Sequence, residues 1–278
     1  MTNKELREVN EQIQIARLDP NHTGIKQLVN DRECEISFEP VRAYNLGYGV
    51  ASQNGELHLY EHLKDKIKVL VDAGARDDTY FLTEPSTDYH LFEPDPKNYA
   101  RLEESLKHIG SDINVYANNC GLGNSNEPLG FFNSEHGNGT FISQNIGGAV
   151  LQPDLFIETT RLEDYAKREN ISHIDFLKID VEGFELEVLK GTGELLRNTS
   201  YVQFEYGNTF KESNITLKNV CDYLIKYGIT NFYTVCTNGL IDLHSTHDHY
   251  MMCNILAARN VTDIKDIINH PTLYNVYV

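Results

Sequence analysis

The 278-residue chain carries 24 Lys and Arg against 41 Asp and Glu, a formal charge of −17, so its long-range field repels polyanions and argues against a nucleic-acid partner. A hydrophobic content of 40% is ordinary for a globular protein, and no apolar run approaches the roughly 18 residues that span a bilayer. The first thirty residues lack the apolar core of a signal peptide, and the five cysteines (Cys34, Cys120, Cys221, Cys236, Cys253) form no C-x-x-C pair, so a cytoplasmic protein with reduced thiols and no membrane insertion is expected.

Residues 3 to 16 read as a polar helix with Leu6, Val9, Ile13 and Ile15 as a narrow apolar stripe, ended at Asp19-Pro20-Asn21. Residues 35 to 60 are rich in aromatic and β-branched side chains, with turn chemistry at Gln53-Asn54-Gly55-Glu56, and predict short strands or a hairpin. Residues 1 to 66 are therefore expected to form an N-terminal helical and β cap. From Lys68 onward strands alternate with helices, the mark of a mostly parallel sheet covered on both faces. Strands are expected over residues 68–74, 88–95, 113–119, 173–180 and 200–208, and helices begin near Pro96, Arg161, Gly183 and Thr216. Residues 231–259 read as two β segments around a loop rather than another βαβ unit. The expectation for residues 67 to 278 is an α/β, doubly wound, seven-stranded domain closed by an antiparallel hairpin.

Chemistry-bearing residues collect at the carboxyl ends of these strands. Val71-Asp72-Ala73-Gly74-Ala75-Arg76-Asp77-Asp78 is a small-residue turn that lets a ligand approach the backbone, with Asp72 able to meet a cationic group or to cap the next helix. Glu93, 21 positions after Asp72, is placed to accept hydrogen bonds from both ribose hydroxyls of a nucleoside. Lys178 and Asp180 share one side of the fourth strand at its rim. There Asp180 can contact a cofactor, hold an acceptor hydroxyl or take its proton, while Lys178 either takes part or neutralises a neighbouring carboxylate. Glu205, on the fifth strand, is a second candidate base. Two polar loops, Asn133 to Thr140 with His136, and His244 to His249, are candidates for acceptor binding; no metal site is expected in either.

Together VDAGA (Val71 to Ala75), FEP (Phe92 to Pro94), NNCGLGN (Asn118 to Asn124), TRLEDY (Thr160 to Tyr165) and KIDVEGFELEVLKG (Lys178 to Gly191) resemble the FkbM family of class I S-adenosylmethionine-dependent methyltransferases. The likeness covers roughly residues 67 to 258 and leaves the cap outside. It departs from the family pattern at Arg76 and Asp78, where Asn and a second glycine are usual, so the turn is less permissive. The resemblance implies that Asp72 and Gly74, with Ala75 and Arg76, line the methionine end, and that Glu93 meets the ribose. Asn119 and Cys120 would border the adenine, while Asp180 and Glu182 face the reaction centre beside Lys178 and Glu205. Glu182, His136, Thr140 and His249 are expected at the acceptor. The implied activity is O-methylation of a sugar hydroxyl on a saccharide or glycan, with a deoxyhexose such as rhamnose among the candidates, yielding S-adenosylhomocysteine. The chain would then be one domain of a longer glycan-synthesis protein. A non-sugar metabolite such as a polyketide is the alternative acceptor, and a non-catalytic nucleoside-binding scaffold the alternative role.

Overall fold

A computed structural model describes residues 24–29, 32–37, 54–133, 138–143, 145–146, 149–237, 239–243, 246, 248 and 252–268. The helix expected over residues 3 to 16 lies outside these. Upstream of the main sheet, β1 (Gly24–Val29) and β2 (Arg32–Ser37) form an antiparallel hairpin that closes between Val29 and Arg32. This pairing precedes most of the segment expected to be β. The Asn54-Gly55 pair does not turn a hairpin but opens helix α1 (Glu56–Leu63). Gly55 supplies a φ of 95°, and Asn54 Oδ1 accepts the Glu56 N–H at 3.0 Å. Glu56, Leu59, Tyr60 and Leu63 recur at i, i+3, i+4 and i+7, so one stripe of α1 is buried. That helical period, carried by apolar residues that also favour strands, is what the β expectation overlooked.

The main sheet takes β3 (Val69–Ala73), β4 (Asp88–Phe92) and β5 (Asn114–Asn118), with helix α2 (Pro96–Leu106) between the last two. Between β5 and the next helix lie short paired strands: β6 (Gly121–Leu122) with β11 (Thr159–Thr160), β7 (Leu129–Phe131) with β10 (Leu155–Ile157), and β8 (Asn145–Ile146) with β9 (Ala149–Val150). Helix α3 (Leu162–Glu169), β12 (Ile174–Ile179), α4 (Glu185–Thr192) and β13 (Thr199–Tyr206) follow. Then come α5 (Asn208–Glu212), α6 (Leu217–Lys226), β14 (Asn231–Cys236), β15 (Gly239–Asp242) and β16 (Cys253–Ala258). The order across the sheet is β15-β14-β16-β13-β12-β3-β4-β5. Strands β13, β12, β3, β4 and β5 run parallel, and β16 is inserted antiparallel between β13 and β14. This is a doubly wound, mostly parallel α/β sheet, with β15 adding an eighth strand to the seven expected.

Alternation along the strands divides the sheet into two faces. Val71, Leu177, Ile179, Val202 and Phe204 pack with Leu162 of α3, Val188 and Leu189 of α4, and Val220 and Leu224 of α6. Leu70, Phe176, Tyr201 and Leu256 pack with Leu59, Tyr60 and Leu63 of α1 and Leu102 of α2. The same alternation puts Asp72, Lys178, Gln203, Glu205 and Asn254 on the α1 face, where the strands run out of apolar residues. Polar side chains at the carboxyl ends are thus gathered under one helix.

Candidate active site

The chain leaves β3 toward β4 on one side and reaches β12 on the other, so the crevice between β3 and β12 is the topological switch where ligands of open α/β sheets bind. A cavity of about 560 Å³ opens there, within the roughly 300–1,000 Å³ of small-ligand sites. Gly74, Arg76, Glu93, Asp180, Glu182 and Glu205 all belong to its wall.

The β3 turn approaches the β12 end so closely that only glycine fits. Gly74 has a φ of 86°, and a Cβ there would lie 1.9 Å from the Asp180 carbonyl oxygen. The N–H groups of Gly74 and Ala75 both donate to the Phe92 carbonyl, at 2.9 and 3.1 Å. Arg76 continues the turn in the left-handed region at a φ of 55°. Its N–H donates to Glu93 Oε2 at 2.8 Å, while the Asp95 N–H donates to Oε1 at 2.8 Å. Burial pushes the Glu93 carboxyl up to about 7 despite these backbone donors. The Asn98 side chain is a third donor to this carboxylate, which still forms part of the cavity wall.

Lys178 stands opposite Asp72 in the parallel register of β12 and β3. Its Nζ lies 3.3 Å from Asp72 Oδ1 and 3.5 Å from Asp180 Oδ2, and its side chain is 5% exposed. Burial alone would disfavour the ammonium, but Asp72 and Asp180 outweigh it and hold Lys178 well above an ordinary lysine. Burial raises Asp72 to about 6, with Lys178 opposing. Beyond Lys178, carboxylate oxygens of Asp180, Glu182 and Glu205 lie within 4.8 Å of one another. Three carboxylates this close cannot all ionise without a counter-charge. Accordingly burial, then Asp180, pushes Glu182 up to about 7, and burial with Asp180 and Glu182 raises Glu205 well above the usual carboxylate range.

Residues 72–229, more than half of the chain, match the family described as the methyltransferase FkbM domain. The chain belongs to the FkbM methyltransferase family. As a member it is an S-adenosylmethionine-dependent methyltransferase. It is similar to the 2-O-methyltransferase NoeI of Sinorhizobium fredii, 24% identical over 197 residues that cover 64% of this chain and 79% of that protein. Methyltransferase sdnD of Sordaria araneosa is 32% identical over 167 residues, covering 46% of this chain and 63% of that one, so this match spans less than two thirds of the fungal relative. Among solved structures, the N-terminal domain of human METTL16 with S-adenosylhomocysteine gives a TM-score of 0.42 at 13% identity, over 92% of this chain and 94% of that chain.

The FkbM block Lys178 to Gly191 owes its form to packing around the site. Buried Glu185 accepts the Gly183 N–H at 3.1 Å and the Val181 N–H at 3.4 Å, holding the turn that carries Glu182. Gly191 lets α4 lie against the Gly123 carbonyl, where a Cβ would come within 1.8 Å. Of the residues expected at the site, Gly74, Arg76, Glu93, Asp180, Glu182 and Glu205 meet at the cavity. Asp72, Ala75 and Lys178 are buried beneath it rather than in its wall. Asn119 lies outside the wall, its amide donating to the carbonyls of Glu93 and Pro94, and Cys120 is also outside. Thr140 supports the wall through a bond from its hydroxyl to the Glu182 carbonyl, at 2.9 Å, beside Asn138 and Gly139, which do line it. His136 and His249 lie outside the described residues. Sequence reasoning missed Asn54, Glu56, Tyr80 and Asn254, all in the wall. A lone Asn in the apolar run Cys253–Ala258 was the available signal for the last.

Proposed function

We propose that this protein methylates a hydroxyl group of a saccharide. The observation that carries the reading is a single cavity with the nucleoside-type carboxylate Glu93 in its wall together with the Asp180, Glu182 and Glu205 cluster. A group the size of S-adenosylmethionine fits the wall present: Glu93 to accept from the ribose hydroxyls, and the Cβ-free face of Gly74 for close approach of the amino-acid portion. When bound, S-adenosylmethionine supplies an electrophilic methyl carbon on a sulfonium. The chain's own residues must then orient an acceptor oxygen in line with that carbon and remove its proton.

Glu205 is the group we assign to the proton. Glu205 lines the cavity beside Asp180 and Glu182, and in its ionised form a carboxylate held above its ordinary range is a stronger base than a free one. Lys178 acts from beneath, its buried ammonium holding the half-exposed Asp180 through an ion pair at 3.5 Å. The further polar groups of the wall, Asn138 and Asn254, suit an acceptor rich in hydroxyls. The name of the similar NoeI, a 2-O-methyltransferase, supports oxygen as the acceptor atom. The test is mass spectrometry of a saccharide panel incubated with protein and S-adenosylmethionine. A gain of one methyl on a saccharide, lost in Glu205→Gln, is expected; methyl gain only on non-sugar acceptors would overturn the reading.

A further inference from the structure

Helix α1 precedes the family-matched residues 72–229, yet it brings a carboxylate into the cavity. Glu56 is 6% exposed and part of the cavity wall. Its Oε2 accepts from Asn54 Nδ2 at 2.7 Å, and its Oε1 accepts from Gln203 Nε2 at 2.6 Å. Both donors are neutral, and each oxygen keeps a lone pair. Among the described residues no cation forms an ion pair with Glu56, since the nearby Lys178 Nζ is taken by Asp72 and Asp180. A buried carboxylate without a cation in contact is costly, and a cationic ligand group removes that cost.

The resemblance to the family assigns the methionine end to Asp72. Asp72 is 3% exposed, committed to Lys178, and not part of the wall. Gln203 stands beside Lys178, and Lys178 beside Asp72, in adjacent parallel strands. At about 4.8 Å per strand, Glu56 above Gln203 is therefore displaced by roughly two strand spacings from the strand that Gly74 ends. Gly74 and Glu56 line the same cavity while Asp72 does not, so Glu56 and not Asp72 is a carboxylate open to an amino-acid group that enters over Gly74 and extends toward β13. We propose that Glu56, oriented by Asn54 and Gln203, binds the α-ammonium of S-adenosylmethionine, so that α1 completes the cofactor site from outside the family-matched segment.

This rests on the reading of the cavity as the cofactor site, and the experiment separates the two. Calorimetry compares S-adenosylhomocysteine with 5′-methylthioadenosine, which keeps the adenosine and thioether but lacks the amino-acid group. Glu56→Gln is expected to weaken S-adenosylhomocysteine by roughly ten- to a hundredfold, the scale of one charge-assisted contact, and 5′-methylthioadenosine by no more than about twofold. Equal weakening of both ligands, or no weakening of the first, overturns the proposal. Should Glu56→Gln fail to fold by circular dichroism, Asn54→Ala decides by the same selectivity, with a smaller loss expected for S-adenosylhomocysteine alone. If the wild-type protein binds neither ligand, the cofactor reading falls and the proposal with it.

Discussion

Replacing Lys178 with Met probes the electrostatic centre of the site. The substitution keeps most of the side-chain volume but removes the charge that Asp72 and Asp180 share at 3.3 and 3.5 Å. Asp72 would be left as a buried carboxylate with no cation, and breaking a buried pair from one side costs about 3–5 kcal/mol. Equilibrium urea unfolding at pH 8, followed by far-UV circular dichroism, reads that loss directly. The double variant Lys178→Met with Asp72→Asn removes both charges and should recover at least about half of it, because no ionised group remains stranded. The deficit of Lys178→Met should also narrow as the pH falls, since protonation of Asp72 does what Lys178 did. A loss below about 1 kcal/mol, or a double variant no more stable than the single one, would refute the claim that Lys178 exists to neutralise this pair.

Gly74→Ala places a methyl 1.9 Å from the Asp180 carbonyl oxygen at a φ of 86°, so it should abolish S-adenosylhomocysteine binding by calorimetry and lower the melting temperature markedly; retention of both would contradict the close approach of β3 and β12. Arg76→Asn should raise stability by a few tenths of a kcal/mol in urea unfolding, because Asn tolerates the left-handed region that Arg76 occupies at a φ of 55°. The buried acids set the pH dependence. Glu93 and Glu182 at about 7 and Glu185 at about 8 all lie above their ordinary 4.5, so the folded state holds protons that the unfolded chain has released. Stability of the ligand-free protein should therefore fall as pH rises from about 6.5 to about 8, read as a decreasing melting temperature; a flat or rising profile would contradict the burial of these groups. Below about 6.5, His90 works in the opposite direction, because burial holds its imidazole below the ordinary value and protonation then opposes folding.

The strands and their rim were legible because their signals are local. Apolar runs ending in Asp72, Glu93 and Asp180 announce both a strand and the polar end of it, and the KIDVEG block narrows the family. What the sequence could not convey is which strands lie side by side. Lys178 reads as a partner for the nearby Asp180, but its pairing with Asp72 exists only because β12 lies next to β3. The same adjacency draws Asp72 out of the cavity wall. Asn119 was expected as the last residue of the third strand, which stops at Asn118, and its amide turns back onto the backbone of Glu93 and Pro94, a choice of rotamer that no spacing encodes. Asn54-Gly55 carries turn chemistry that serves a helix entry as well as a hairpin, and only the buried stripe of Glu56, Leu59, Tyr60 and Leu63 separates the two. Glu56 was missed for that reason.

A crystal structure of the protein with S-adenosylhomocysteine tests the assignment of the cavity most directly. The ribose hydroxyls should lie within hydrogen-bond distance of the Glu93 carboxylate, with the sulfur directed toward the cluster of Asp180, Glu182 and Glu205. A nucleoside bound away from Glu93, or a sulfur facing away from that cluster, would contradict the account.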